Sequence, residues 1–230
     1  MRLLLFLVLA LALNASPVPT PKAIPDDLRT ALANYRAEGT RGWAFTQSTR
    51  ASGKSLVERY DPRLPEFRRW SLLQKDGRTP TEQERQTYAE QQTRRSRGDT
   101  APNVKEQIDE ATAERLQDDG TRVHWRFRLR TTEEDDRSAA HMTATFVLHR
   151  PTSTIERMEL ASFEPFKPVT GIAIDQARTV VEYSLPEGDR PTLLQRITVT
   201  LRGRAWWIKS LDDDMEVVYS DFESARPAQR

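Results

Sequence analysis

The side chains that could do chemistry in this chain are few and scattered. Histidine occurs at His124, His141 and His149. His141 and His149 fall on one alternating stretch and on one face of it. Eight residues apart, they sit about 27 Å from each other in extended chain, too far to share a metal. No HxH or HExxH spacing occurs, so no zinc-type site is expected. Cysteine is absent, and with it a thiol nucleophile; the GxSxG elbow of serine hydrolases is missing too. Asp212, Asp213 and Asp214 form an acidic run that has the hard oxygen ligands calcium takes. Lying between two strand-like stretches, the run reads first as a solvated turn. No catalytic residue, no metal and no cofactor follows from these positions. A pair of carboxylates brought together from distant strands remains a third, minor reading, as a hydrolase without a motif.

The most regular charged feature is in TRVHWRFRLR, residues 121–130. Val123, Trp125, Phe127 and Leu129 alternate with Arg122, His124, Arg126, Arg128 and Arg130. Alternation with period two is the mark of a strand with one dry and one wet face. With the apolar set inward, Arg122, Arg126, Arg128 and Arg130 point out. Glu114, Glu156 and Glu182 on neighbouring strands are the candidate partners, each cross-strand pair contributing about 0.2–1 kcal/mol. The sharper reading of the ladder is a docking surface for an anionic lipid head group or an envelope protein.

Charge and composition limit the partners. The chain has 35 basic and 34 acidic residues, for a net charge of +1. A nucleic-acid binder is usually clearly basic, so no nucleic acid is expected. The N-terminus reads MRLLLFLVLALALNAS, with Arg2 ahead of an apolar run at 3–13. That run is shorter than the about 20 residues needed to span a bilayer. It has the form of a cleavable signal peptide over 1–15, and the mature form is expected not to span the membrane. Residues 16–25 then read as a Pro-rich linker, and the location expected is the periplasm. An exported chain without cysteine must rest on a core rather than on disulfides, and residues 26–225 are long enough to build one as a single domain.

Within that domain one amphipathic helix opens the chain at 26–38, with Leu28, Ala31, Leu32 and Tyr35 on one face and Gly39 past its end. Strand patterns follow at 41–49, 55–60 and 67–74, the last closed by Asp76-Gly77. A helical insertion is expected at about 79–110. Its first helix has Thr79 as N-cap, Pro80 at the first position and Glu82 three residues after the cap. It runs to about Arg97 and is polar all round except for Tyr88. A short helix near 103–109 comes next. Strands are then expected at 112–117, 121–130, 141–149, 154–162, 172–183, 192–202, 204–211 and 214–223, about eleven in all.

The fold class is therefore mainly β with a few helices (α+β): a curved antiparallel sheet of about eleven strands. The helix at 26–38 is too short to cover it and the polar helix is a poor cover. The sheet must curl on itself, pack on a second sheet, or leave an apolar hollow, and such a hollow is a place for a lipid. Alternation nominates Trp125, Phe127, Phe146, Ile197, Val199 and Trp207 as its lining. The connection SFEPFKPVTG (162–171) adds Phe163 and Phe166 as a hydrophobic flap.

The order of elements, with WAFTQST (43–49) and its Phe45-Thr46-Gln47 directly after the first helix, resembles the LolA/LolB-like periplasmic lipoprotein carriers. ERYDP (58–62), WSLL (70–73) with Asp76-Gly77, and RGRAWWIKS (202–210) resemble uncharacterised exported proteins assigned to the same fold. The resemblance implies an unclosed barrel of eleven strands, capped by helices, that holds acyl chains of a lipid or an acylated protein on its concave face. It implies no catalytic residue. The hydrophilic block 79–110 departs from the fairly apolar helices of that family. The alternative function is a non-enzymatic interaction or scaffold module of the envelope, with its barrel filled by its own side chains.

Overall fold

A computed structural model describes residues 24–35, 40, 42–95, 104–131, 138–206 and 208–225. The segment 1–15, most of the linker, Gly39 and Trp207 lie outside the described residues. The opening helix, α1 (Asp26–Asn34), carries Asp26 and Asp27 in its first turn, where the helix dipole favours negative charge. Leu28, Ala31 and Leu32 lie at i, i+3 and i+4 on one buried stripe. The helix ends earlier than 38: Tyr35 is already extended, with ψ of 127°.

The strands are β1 (Trp43–Ala51), β2 (Lys54–Tyr60), β3 (Trp70–Lys75), β4 (Ile108–Asp118), β5 (Arg122–Leu129), β6 (Met142–His149), β7 (Thr154–Ser162), β8 (Ile172–Tyr183), β9 (Leu194–Ala205), β10 (Lys209–Ser210) and β11 (Asp213–Ser224). They form one antiparallel sheet in the order β3-β2-β1-β11-β9-β8-β7-β6-β5-β4, with β10 paired only to β9. The sheet is a curved half-barrel, not closed. Its turns follow the sequence signals. Asp76 and Gly77 both have positive φ, 50° and 76°, as a two-residue turn matched to strand twist requires. The expected separate strands at 192–202 and 204–211 are corrected to one long strand and a two-residue one. Gly203, Arg204 and Ala205 stay paired with Ile174, Ala173 and Ile172 of the long β8, and the chain turns only after Ala205.

The two free edges of the sheet are β3 and β4. The chain between them carries α2 (Glu82–Arg95) and α3 (Val104–Gln107). The cap of α2 sits two residues later than expected. Glu84 N–H donates to Thr81 Oγ1 at 3.2 Å, and Thr81 N–H donates to Glu84 Oε2 at 2.9 Å. This capping box satisfies two of the helix's orphan donors. Glu84 also accepts from Lys75 at 2.8 Å and Arg78 at 2.7 Å, which fixes the start of α2 to the end of β3. Arg78 above all, then Lys75, holds the Glu84 carboxyl far below the usual carboxylate range.

The core lies on the concave face. Leu28, Ala31 and Leu32 of α1, with Tyr35 just past its end, pack on Phe127, Ala144, Phe146, Leu148, Ile155, Met158, Val181, Tyr183 and Leu194. Tyr35 meets Phe146 and Tyr183 edge-on, at 5.7 and 5.6 Å between ring centroids. Its hydroxyl shares a 2.9 Å hydrogen bond with that of Tyr183, so both buried phenols are satisfied. Burial raises the pKa of each. A second aromatic cluster joins β1, β2, β3 and β11 around Phe45, with Tyr60, Trp70, Tyr219 and Phe222 at 5.1 to 6.1 Å from its ring.

Leu28 is fully buried, so Leu28→Ala is expected to cost about 2–5 kcal/mol, measured as a fall in the urea midpoint. A loss below about 0.5 kcal/mol would mean that α1 does not hold the core.

Candidate functional site: the concave face and its two helical covers

On β5 the alternation holds. Val123 and Phe127 are fully buried, Trp125 and Leu129 pack against the same core, and Arg122, Arg126 and Arg128 are exposed on the other face. The arginines find acids. Arg126 pairs with Glu114 at 2.7 Å and Arg122 with Glu156 at 2.5 Å. Arg128 instead lies over the ring of Phe163, its guanidinium carbon 5.0 Å from the ring centroid. Arg130 is exposed, and its backbone N–H donates to Gln107 O at 2.6 Å. Glu182 faces Arg157 and Arg196 in register. The convex face continues in this way across β7, β8, β9 and β11, with Arg178 and Arg157 on Glu159 and Arg202 on Asp214, each at 2.8 Å. Arg178, then Arg157, holds the Glu159 carboxyl below its ordinary value. Gly120 N–H and Arg150 do the same for Asp118, and Arg202 for Asp214.

The concave face divides into three zones. α1 covers β5 to β8. α2 packs on β3 and reaches β2. Between them in sheet order lie β1, β11 and β9. Cross-strand pairing places Ala51, Met215, Val199 and Thr179 in one row and Thr49, Val217, Ile197 and Val181 in the next. Leu160 continues the first row on β7. Ala51, Met215, Val199, Leu160 and Ile197 are only partly buried. Leu160 and Ile197 also pack against the core beneath α1; Ala51, Met215 and Val199 extend beyond it as a shallow apolar trough between the two helices.

Under α2 the lining changes character. Glu58, Gln47 and Tyr219 are neighbours across β2, β1 and β11. Glu58 is 5% exposed. It accepts from Tyr88 Oη at 2.6 Å, from Gln47 Nε2 at 3.1 Å and from Gln92 Nε2 at 3.5 Å. Among the described residues it has no ion-pair partner. A buried charge without a counter-ion is held only by such donors. Burial, with the Glu58 charge adding, pushes the Tyr219 phenol up to about 12. Next to this cluster Leu56, Leu72 and Tyr88 floor a pocket of about 480 Å³, with Lys54, Lys75, Asp76 and Glu84 among its rim. The polar α2 is thus a cover after all, through Tyr88 and its bond to Glu58. The strand SLVERY carried the signal: Glu58 shares a face with Leu56 and Tyr60, an acid in an apolar position.

The nominated lining residues separate. Val199 stands in the trough, and Ile197 and Trp125 are partly buried against the core. Phe127 and Phe146 have no exposed surface and belong to the core under α1. Phe163 is not on the concave side; it lies half-exposed beneath the outward Arg128. Phe166 is buried and stacks on His141 at 5.2 Å, its backbone bonded to Ile174. Trp207 lies outside the described residues. His141 Nδ1 meets Glu164 and His149 Nδ1 meets Thr152 Oγ1, both at 2.8 Å. Asp212 accepts from Gly203 N–H at 3.1 Å, Asp213 from Ser52 at 2.8 Å, and Asp214 pairs with Arg202. Among the described residues no group of three or more His, Asp or Glu is placed to hold a metal, and no helix is long and apolar enough to cross a membrane.

No family model matches the chain, and neither does any curated protein or solved structure.

Two outcomes follow from this electrostatic arrangement. Tyr88→Phe strips Glu58 of its shortest bond and is expected to lower stability by about 1–3 kcal/mol. Thr87→Ala, an exposed neighbour on α2, should change it by less than about 0.5 kcal/mol; equal midpoints for the two variants would remove Glu58 as the anchor of α2. The second outcome concerns acid. Glu159, Asp118 and Asp214 have depressed values in the folded chain. Their contribution is complete above the unfolded carboxylate values of about 4 and is lost as pH falls through the lower folded ones. The urea midpoint should stay level from neutral pH down to about 5 and fall below about 4. A midpoint that holds level in acid would contradict this.

Proposed function

We propose that the protein is an exported carrier that holds a hydrophobic ligand, such as the acyl chains of a lipid or of an acylated protein, against its concave sheet. What supports the reading is the trough of Ala51, Met215 and Val199, with Ile197 and Leu160 at its edge against the core under α1. These apolar side chains keep part of their surface exposed between two helical covers. The same unclosed curvature and element order supports a relation to the LolA/LolB-like carriers. The signal-like N-terminus supports a periplasmic location.

The second reading, a scaffold whose barrel is filled by its own side chains, is favoured by a specific observation. Phe127 and Phe146 are sealed beneath α1, so the deepest aromatic part of the concave face is not open to a ligand.

An environment-sensitive apolar dye distinguishes the two. The carrier reading expects saturable binding near one site per chain. Val199→Glu, which places a charge in the trough, should weaken it by about tenfold or more. Thr200→Glu, one residue along and facing out, should leave it unchanged. No saturable binding, or equal binding by both variants, would leave the scaffold reading in place.

A further inference from the structure

The polar groups of the concave face are not all used up by the fold. Gln47, Glu58 and Tyr219 are neighbours across β1, β2 and β11. The three hydrogen bonds to Glu58 come from neutral donors, Tyr88, Gln47 and Gln92. Gln47 gives its Nε2 to Glu58 at 3.1 Å and to Thr49 Oγ1 at 3.3 Å. Among the described residues its Oε1 receives no donor, and the Tyr219 hydroxyl makes no hydrogen bond. The hydroxyls of Tyr35, Tyr88 and Tyr183 are all bonded. Among the described residues the only sealed side-chain polar atom without a partner is Arg157 Nε. Both unpartnered oxygens, Gln47 Oε1 and Tyr219 Oη, therefore open onto the face.

No cation neutralises this spot. Arg59, next along β2, points to the opposite face, where it bonds Asp221 O at 2.8 Å and Glu223 at 2.7 Å. Lys54 shares the concave face but lies four residues from Glu58 along β2, about 13 Å in extended chain. Lys75 is held by Glu84 at 2.8 Å. Aromatic rings stand on the other side. Phe45 and Tyr60 come one step further along the same two strands, 5.1 Å apart, with Tyr219 5.5 Å from Phe45 and Trp70 5.0 Å from Tyr60. Tyr60, Trp70 and Tyr219 each keep part of their surface exposed. Acceptor oxygens around a carboxylate without a counter-ion, next to aromatic rings, suit an ammonium group. An anionic head would face the Glu58 charge with nothing to offset it.

We propose that this cluster is the head-group subsite of the ligand and takes an amphiphile with a primary ammonium head. The head donates to Gln47 Oε1 and Tyr219 Oη beside Glu58. The apolar tail runs along β11 towards Met215, about 13 Å away, and onto Val199, its partner on β9. The inference rests on the carrier reading and narrows it to one class of ligand.

The test is isothermal titration calorimetry of the purified protein at neutral pH with decylamine, decanol and decanoate, each below the concentration at which it forms micelles. Decylamine is expected to bind about tenfold or more tightly than decanoate, with decanol between them. Glu58→Gln keeps an acceptor for Tyr88 and removes the charge, so the preference for amine over carboxylate should shrink about fivefold or more. Tyr219→Phe should weaken decylamine about threefold and leave decanoate unchanged. It breaks no hydrogen bond of the fold, so it carries the test even where Glu58→Gln lowers stability. Equal affinities for the three ligands, tighter binding of decanoate, or a wild-type preference in both variants would overturn this proposal and leave the carrier reading in place. No binding of any of the three would overturn both.

Discussion

Everything else in the structure depends on how an open sheet of eleven strands hides its concave face from water. A closed barrel would pack that face against itself. Among the described residues β3 and β4 remain unpaired on their outer sides, so the covers come from elsewhere in the chain. The main one is a single buried stripe on a helix of nine residues. Leu28, Ala31, Leu32 and Tyr35 are enough to seal β5 to β8 because the strands meet them with large side chains, Phe127, Phe146 and Met158, rather than with a flat surface. The Tyr35–Tyr183 hydroxyl pair allows aromatic volume to be buried there without an unsatisfied polar group.

The second cover works by a different force. α2 brings almost no apolar surface. It is held at its start by Glu84, which gathers Lys75, Arg78 and the Thr81 N–H, and in its middle by Tyr88 on Glu58. Hydrogen bonds to a buried carboxylate are stronger than neutral ones, and they are geometrically specific. A polar helix can therefore act as a lid where an apolar one would be expected. The trough on β1, β11 and β9 is what remains between an apolar seal and a polar latch.

Much of this was legible in the residues. Period-two patterns located nearly every strand, and Asp76-Gly77 located the turn that ends β3. Strand β4 was misplaced, its start at Ile108 read as helix, because IDEATAE has no alternation. As an edge strand it has one neighbour, and its pairing with β5 is interrupted by irregular register. The break at 203 was overestimated because a glycine there looks like a turn, whereas β8 is long enough to keep β9 paired through it. For the site, parity correctly assigned the two faces of β5. It could not say which inward residues are sealed and which are open. That distinction depends on where α1 lands, a tertiary fact no local pattern holds. Glu58 was the one site residue whose unusual position could have been read from its strand alone.

A trough that serves as a ligand surface, and is not a gap in the packing, should keep its ligand through purification. The most direct measurement is mass spectrometry of an organic extract of the protein, purified from a periplasmic fraction without detergent. A carrier should yield a co-purifying lipid or acyl species in stoichiometric amount, lost in Val199→Glu and retained in Thr200→Glu. An extract without any such species from the wild-type protein would contradict it.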